Sequence, residues 1–176
     1  MIDLDAADYR TRDVSRLAMV TPRQLQVWDE NRILIAARHG HWRAYTVVDA
    51  VRAMIGRELR IRHFGNRNVR RILAIAENAC RLTIGGQRWV LMVPYHSGGK
   101  GHVANRAAIL LPDEVIEWTK TNGGCFAIAI HDLVDELVDR MVKLRRPEAR
   151  EYRAFRPPPG QGVLGFPAPR SQRAAH

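Results

Sequence analysis

Two short amphipathic segments joined by about three residues constrain this chain more than any other feature. Thr21-Pro22-Arg23-Gln24 is a helix start signal: threonine can cap, proline sits at the first helical position, and glutamine holds the capping-box place. Just upstream, Thr11 is a candidate cap, Asp13 falls in the first turn, and Val14, Leu17 and Ala18 recur at helical spacing. Met19 and Val20 leave room only for a turn, so the two helices must cross closely in a helix-turn-helix pattern. Leu25 and Trp28 point inward from the second helix, which leaves Arg23, Gln24, Gln26 and Val27 on or near its open side.

The next residues are short enough for a two-stranded ribbon. Ile33 to Ala37 and Trp42 to Tyr45 are the expected strands, with His39-Gly40-His41 at the tip. Thr46 with Asp49 then starts a third helix, buried along Val51, Met54, Ile55 and Leu59. Asn66, after Gly65, is expected to cap a fourth, whose inner face is Val69, Ile72, Leu73 and Ala76.

Beyond this point the pattern changes. Cys80 to Ile84 and Arg88 to Tyr95 flank Gly85-Gly86-Gln87 and are expected to form a hairpin, followed by the glycine-rich SGGKGHVAN. A strand over Ala107 to Leu111, a helix over Asp113 to Thr119 and a buried strand over Cys125 to Ile130 come next. Leu133, Val134, Leu137, Val138, Met141 and Val142 make one apolar helical stripe opposite a charged face. From Arg145 onward proline, glycine and arginine dominate, which predicts a flexible tail. The expected class is α+β, in three parts: residues 1–78, a small α+β module at 79–144 ending in the amphipathic helix, and a basic tail at 145–176.

The net charge of +10 is unevenly placed: residues 1–76 carry +6, residues 77–144 carry −1 and residues 145–176 carry +5. Basic ends around a neutral middle predict a polyanionic partner for the ends. The acidic start MIDLDAADYRTRD is unlike an export signal, and no run approaches the ~18 apolar residues of a membrane helix, so a cytoplasmic location is expected. Cys80 and Cys125 are too few for a disulfide framework and match no zinc spacing. HSGGKGHV fails as a phosphate loop, because Pro94 occupies the first glycine position and Gly101 the hydroxyl position. His96, His102, Cys80, Cys125 and His131 could hold a metal only if the fold gathers them, and neither metal nor cofactor is expected. No local triad supports an enzyme.

Tyr9 to Glu77 resembles the winged helix-turn-helix domain of MerR-type transcriptional regulators. The likeness rests on Val14-x-x-Leu17-Ala18, Thr21-Pro22-x-x-Leu25-x-x-Trp28-Asp29, Arg38 with Arg43-x-Tyr45-Thr46, and Phe64-Gly65 ahead of Val69-x-x-Ile72-Leu73. It implies binding to double-stranded DNA, with the second helix in the major groove and the wing along the backbone or in the adjoining minor groove. Position by position, it puts Arg23, Gln24, Gln26 and Val27 on the reading helix and Arg38, Arg43 and Tyr45 on the wing.

Alternatives stand beside several of these roles. Trp42 and Tyr45 can equally pack the wing against the helices. His39 and His41 are either exposed turn residues or phosphate contacts, and Arg67, Arg70 and Arg71 either a solvated face or a second backbone clamp. A homodimer on a palindromic operator is expected through Leu133, Val134, Leu137, Val138 and Met141. The C-terminal part more weakly resembles MerR-like VapBC-type antitoxins, which would make a toxin, or otherwise a polymerase, a partner for the tail. An excisionase-like architectural protein is the third reading.

Overall fold

The computed structural model describes residues 6–95, 107–122 and 124–145. The element order is β1 (Tyr9–Arg10), α1 (Thr11–Ala18), α2 (Pro22–Glu30), β2 (Ala37–His39), β3 (Trp42–Tyr45), α3 (Val47–Ile61) and α4 (Asn66–Ile84). The chain continues through β4 (Val90–Pro94), β5 (Ala108–Leu110), α5 (Val115–Asn122), β6 (Cys125–Ala129) and α6 (Ile130–Arg145). Two small antiparallel sheets, ordered β1-β3-β2 and β5-β4-β6, accompany the helices, an α+β architecture.

Local chemistry sets most helix starts. Thr21 Oγ1 accepts the Gln24 N–H at 3.0 Å at the head of α2. At α3 the capping box is reciprocal: Thr46 Oγ1 accepts from Asp49 N–H and Asp49 Oδ2 accepts from Thr46 N–H. At α1 and α4 the caps sit one residue earlier than expected, on Arg10 and Gly65, and Asp13 fixes the first by accepting the Arg10 N–H. Gly56 lies inside α3 against the indole of Trp28, where an added Cβ would come within 2.9 Å of the ring.

Three expectations are corrected. Cys80 to Ile84 is the last part of α4 and not a strand, because Ala76, Cys80 and Thr83 continue the buried stripe at helical spacing. Thr83 stays compatible with the helix by donating its hydroxyl to Ala79 O at 2.7 Å. The helix stops at Gly85, and Gly86, at φ +99°, lets the chain turn away into β4. The boundary drawn at residue 78 thus falls inside α4.

The first strand of the wing begins at Ala37 and not at Ile33. Ile33 and Leu34 are buried and their N–H groups return to Trp28 O at the end of α2, so neither joins a ladder. The Tyr9–Arg10 strand, which the sequence did not announce, completes the sheet by pairing with β3: Tyr9 opposite Tyr45 and Arg10 opposite Ala44.

The third correction concerns α6. Leu133, Val134 and Leu137 are buried in this chain's own core, and Met141 packs partly against it. That core runs without a break from Val14 through Trp28, Ile55 and Leu73 to Leu91, Ile128 and Leu137, and Met1–Leu144 forms one compact unit. α6 is also fastened to the helix-turn-helix. Arg140 donates to Leu17 O at 2.5 Å, reaches Met19 Sδ at 2.9 Å, and pairs with Glu136.

The glycine-rich segment with His96 and His102, and the tail beyond Arg145, lie outside the described residues. Among the described residues no helix is long and apolar enough to cross a membrane, and no group of three or more His, Cys, Asp or Glu side chains could hold a metal ion. Cys80 is buried, which pushes its thiol up to about 12 and leaves it protonated and unreactive at neutral pH.

Candidate nucleic-acid interface

On α2 the buried pair Leu25 and Trp28 anchors one face, and the helical repeat turns the intervening side chains the other way. Arg23 is exposed, while Gln24, Gln26 and Val27 are half-buried. Gln26 Nε2 donates to Glu30 Oε1 at 2.8 Å, so this amide is held along the helix surface. A base would have to compete with Glu30 for it.

The wing is a tight antiparallel ribbon in which Arg38 faces Arg43 and His39 faces Trp42 across the strands. Gly40, at φ +61°, makes the turn, and no atom lies within 4 Å of where its Cβ would stand. His39, His41 and Trp42 are exposed. The rings of His39 and Trp42 lie 5.2 Å apart, and the Arg10 guanidinium sits 4.8 Å from the Trp42 centroid. The tip is therefore a basic and aromatic cluster, with a flat apolar face and several donors suited to a sugar-phosphate surface. Arg10 belongs to that cluster although nothing local in the sequence singles it out; its placement depends on β1 pairing with β3.

Two wing residues stand elsewhere than a direct contact requires. Tyr45 is fully buried. The ring belongs to the core that seats the wing, and its burial raises the phenol pKa. Arg43 is turned inward: its Nε donates to Asp29 Oδ2 at 2.7 Å, and that bond holds the guanidinium pKa above its usual value.

Asp29 is the centre of this arrangement. Its Oδ2 also accepts from Arg38 Nη2 at 2.9 Å, and its Oδ1 accepts the Ala36 N–H at 3.2 Å. Burial alone would raise the Asp29 pKa. The hydrogen bonds from Arg43 and Ala36, with the charges of Arg38 and Arg43, outweigh that and hold it below the ordinary value. In the sequence Asp29 stands only as the residue after Trp28 in the α2 motif. The available signal was a pair of carboxylates, Asp29 and Glu30, closing a helix just before a ribbon bearing two arginines.

Arg67 is exposed in the first turn of α4, and Arg70 is exposed one turn further on. Of the proposed pairing residues on α6, Val138 is exposed and Met141 half-buried, with Val142 exposed beside them.

No curated protein matches this chain. No comparison supports the likeness of the C-terminal part to VapBC-type antitoxins; the family match lies upstream, over residues 9–75, which is less than half of the 176 residues. That match is to the MerR HTH family regulatory protein, and it spans α1, α2, the ribbon with its Asp29 hub, α3 and the first part of α4. The segment from Tyr9 to Ile75 is thus similar to a MerR-type helix-turn-helix domain.

Proposed function

We propose that the protein is a sequence-specific, DNA-binding transcriptional regulator that works in the cytoplasm, on the nucleoid, as a dimer on a palindromic operator. In this reading α2 enters the major groove, where Arg23, Gln24, Gln26 and Val27 meet base edges and adjacent phosphates. Arg38, His39, His41 and Trp42 lie along the backbone or in the adjoining minor groove, and Arg67 adds a phosphate contact. Arg43 and Tyr45 serve the interface from behind, by holding the wing.

The observation that carries this reading is the exposure of Arg23 on α2 together with the basic and aromatic wing tip, inside a segment that matches a regulatory helix-turn-helix family. Selection of fragments from the source genome by the full chain tests it. A reproducible set of retained sites, with affinity falling steeply as salt rises, is the expected result. Retention of no fragment at low ionic strength would reject it.

The dimer rests on Val138, Met141 and Val142, the part of the α6 stripe that its own core leaves accessible. α6 carries Asp132 and Asp135 toward its start and Lys143 near its end, so an antiparallel pair of α6 helices would set opposite charges against each other. Val138→Glu is the suitable probe, since the site is exposed. Sedimentation should show a dimer for the parent chain at micromolar concentration and a monomer for the variant; a monomeric parent chain removes the proposal.

A further inference from the structure

A reading helix and a wing can grip one duplex together only if the distance between them is fixed. α2 and the wing belong to different elements, and the chain between them, from Asn31 to Ala36, is not a strand. One side chain bridges them directly. The Asp29 carboxylate, at the end of α2, is only 7% exposed and takes three bonds from the wing side: from the Ala36 N–H, from Arg38 and from Arg43. Arg38 and Arg43 are cross-strand partners, so the carboxylate holds both strands at the same rung, and Ala36 fixes the entry to β2. All three donors thus converge on one residue of the helix.

We infer that Asp29 is a positioning residue for DNA binding: its carboxylate sets where the wing sits relative to α2, and so whether both elements can engage the duplex at once. This rests on the DNA-binding reading above. It makes a prediction opposite to that of simple electrostatics. A negative charge beside a polyanion site weakens binding, and its removal would release Arg38 and Arg43 toward phosphates, so a purely Coulombic role predicts tighter binding by an Asp29→Asn variant. A positioning role predicts weaker binding despite the gain in positive charge.

The test uses the full-length protein and a genomic fragment retained by the parent chain, with affinity measured at fixed salt and hydroxyl-radical footprints taken at saturating protein. Asp29→Asn keeps an oxygen for the Ala36 N–H and loses the ion pairs. Its affinity should fall by about tenfold or more, the scale set by losing charged hydrogen bonds. Protections flanking the α2 footprint should vanish while the central ones persist. A fold defect alone would not separate the two sets of protections.

Should Asp29→Asn fail to fold, Asp29→Glu keeps the charge and moves the carboxylate by one methylene; weakened flanking protections around an intact centre are then expected. Equal or tighter binding with an unchanged footprint, in whichever variant is folded, overturns the inference. Failure of the parent chain to retain any fragment instead rejects the DNA-binding reading.

Discussion

The two halves of the candidate interface are built on different terms. α2 divides its work cleanly: Leu25 and Trp28 belong to the core and Arg23 projects from the other side. The wing does not. Of its most suggestive residues, Tyr45 is buried, Arg43 points back at Asp29, Arg38 reaches the same carboxylate from an exposed position, and only His39, His41 and Trp42 are given over to the surface. A helix separates inside from outside every few residues, so polar positions on its far face are available by geometry. A two-stranded ribbon has little core of its own and must use some of its charged and aromatic side chains to stay seated.

The largest effect that could break this contrast belongs to Tyr45. As a buried core residue, its replacement by alanine should cost about 3–5 kcal/mol of stability, the range for large aromatic truncations. Thermal unfolding would show it. An unchanged melting temperature with weakened DNA binding would return Tyr45 to the surface role that its family position implied.

Arg43 comes next. Arg43→Ala removes a charged hydrogen bond to a nearly buried carboxylate and should lower stability by about 1–3 kcal/mol. Acid titration sharpens the same point. The Asp29 pKa lies below its ordinary value in the fold, so its pairing stabilises the protein above the ordinary carboxylate range, and that contribution disappears as pH falls through the folded pKa. In Asp29→Asn this part of the acid limb should flatten. If Arg43→Ala leaves stability intact and only reduces the salt dependence of binding, Arg43 is a phosphate contact after all.

What the sequence made legible follows the reach of the interactions. Thr21 and the Thr46–Asp49 box act within three residues, and the helices they start are where local chemistry puts them. The inner face of α4 was equally plain, since Val69, Ile72, Leu73 and Ala76 obey one period. What escaped depends on distant partners. β1 exists only because β3 accepts it, and Asp29 matters only because residues 7 to 14 positions away fold back onto it. The stripe on α6 was visible, but an apolar face does not say whose core it joins. Leu133, Val134 and Leu137 join the chain's own. Cys80 to Ile84 misled for a related reason, because a short apolar run bounded by glycines fits a strand or a helix end equally well.

The smallest effect on the fold, and the cleanest complement to Arg43, is expected at Arg23. It is exposed in the first turn of α2, beyond the Thr21 cap, and no ion pair to it is found among the described residues. Arg23→Ala should therefore leave stability within about 0.5 kcal/mol. If the side chain neutralises a phosphate, the salt dependence of binding should fall by about one unit in the log–log slope, uniformly across sequences. If it reads a base, the slope changes little beyond that charge and preference relaxes at one position of the selected site. A variant that melts early would place Arg23, like Arg43, among the residues that hold the fold, and the contrast between helix and wing would fail at its simplest point.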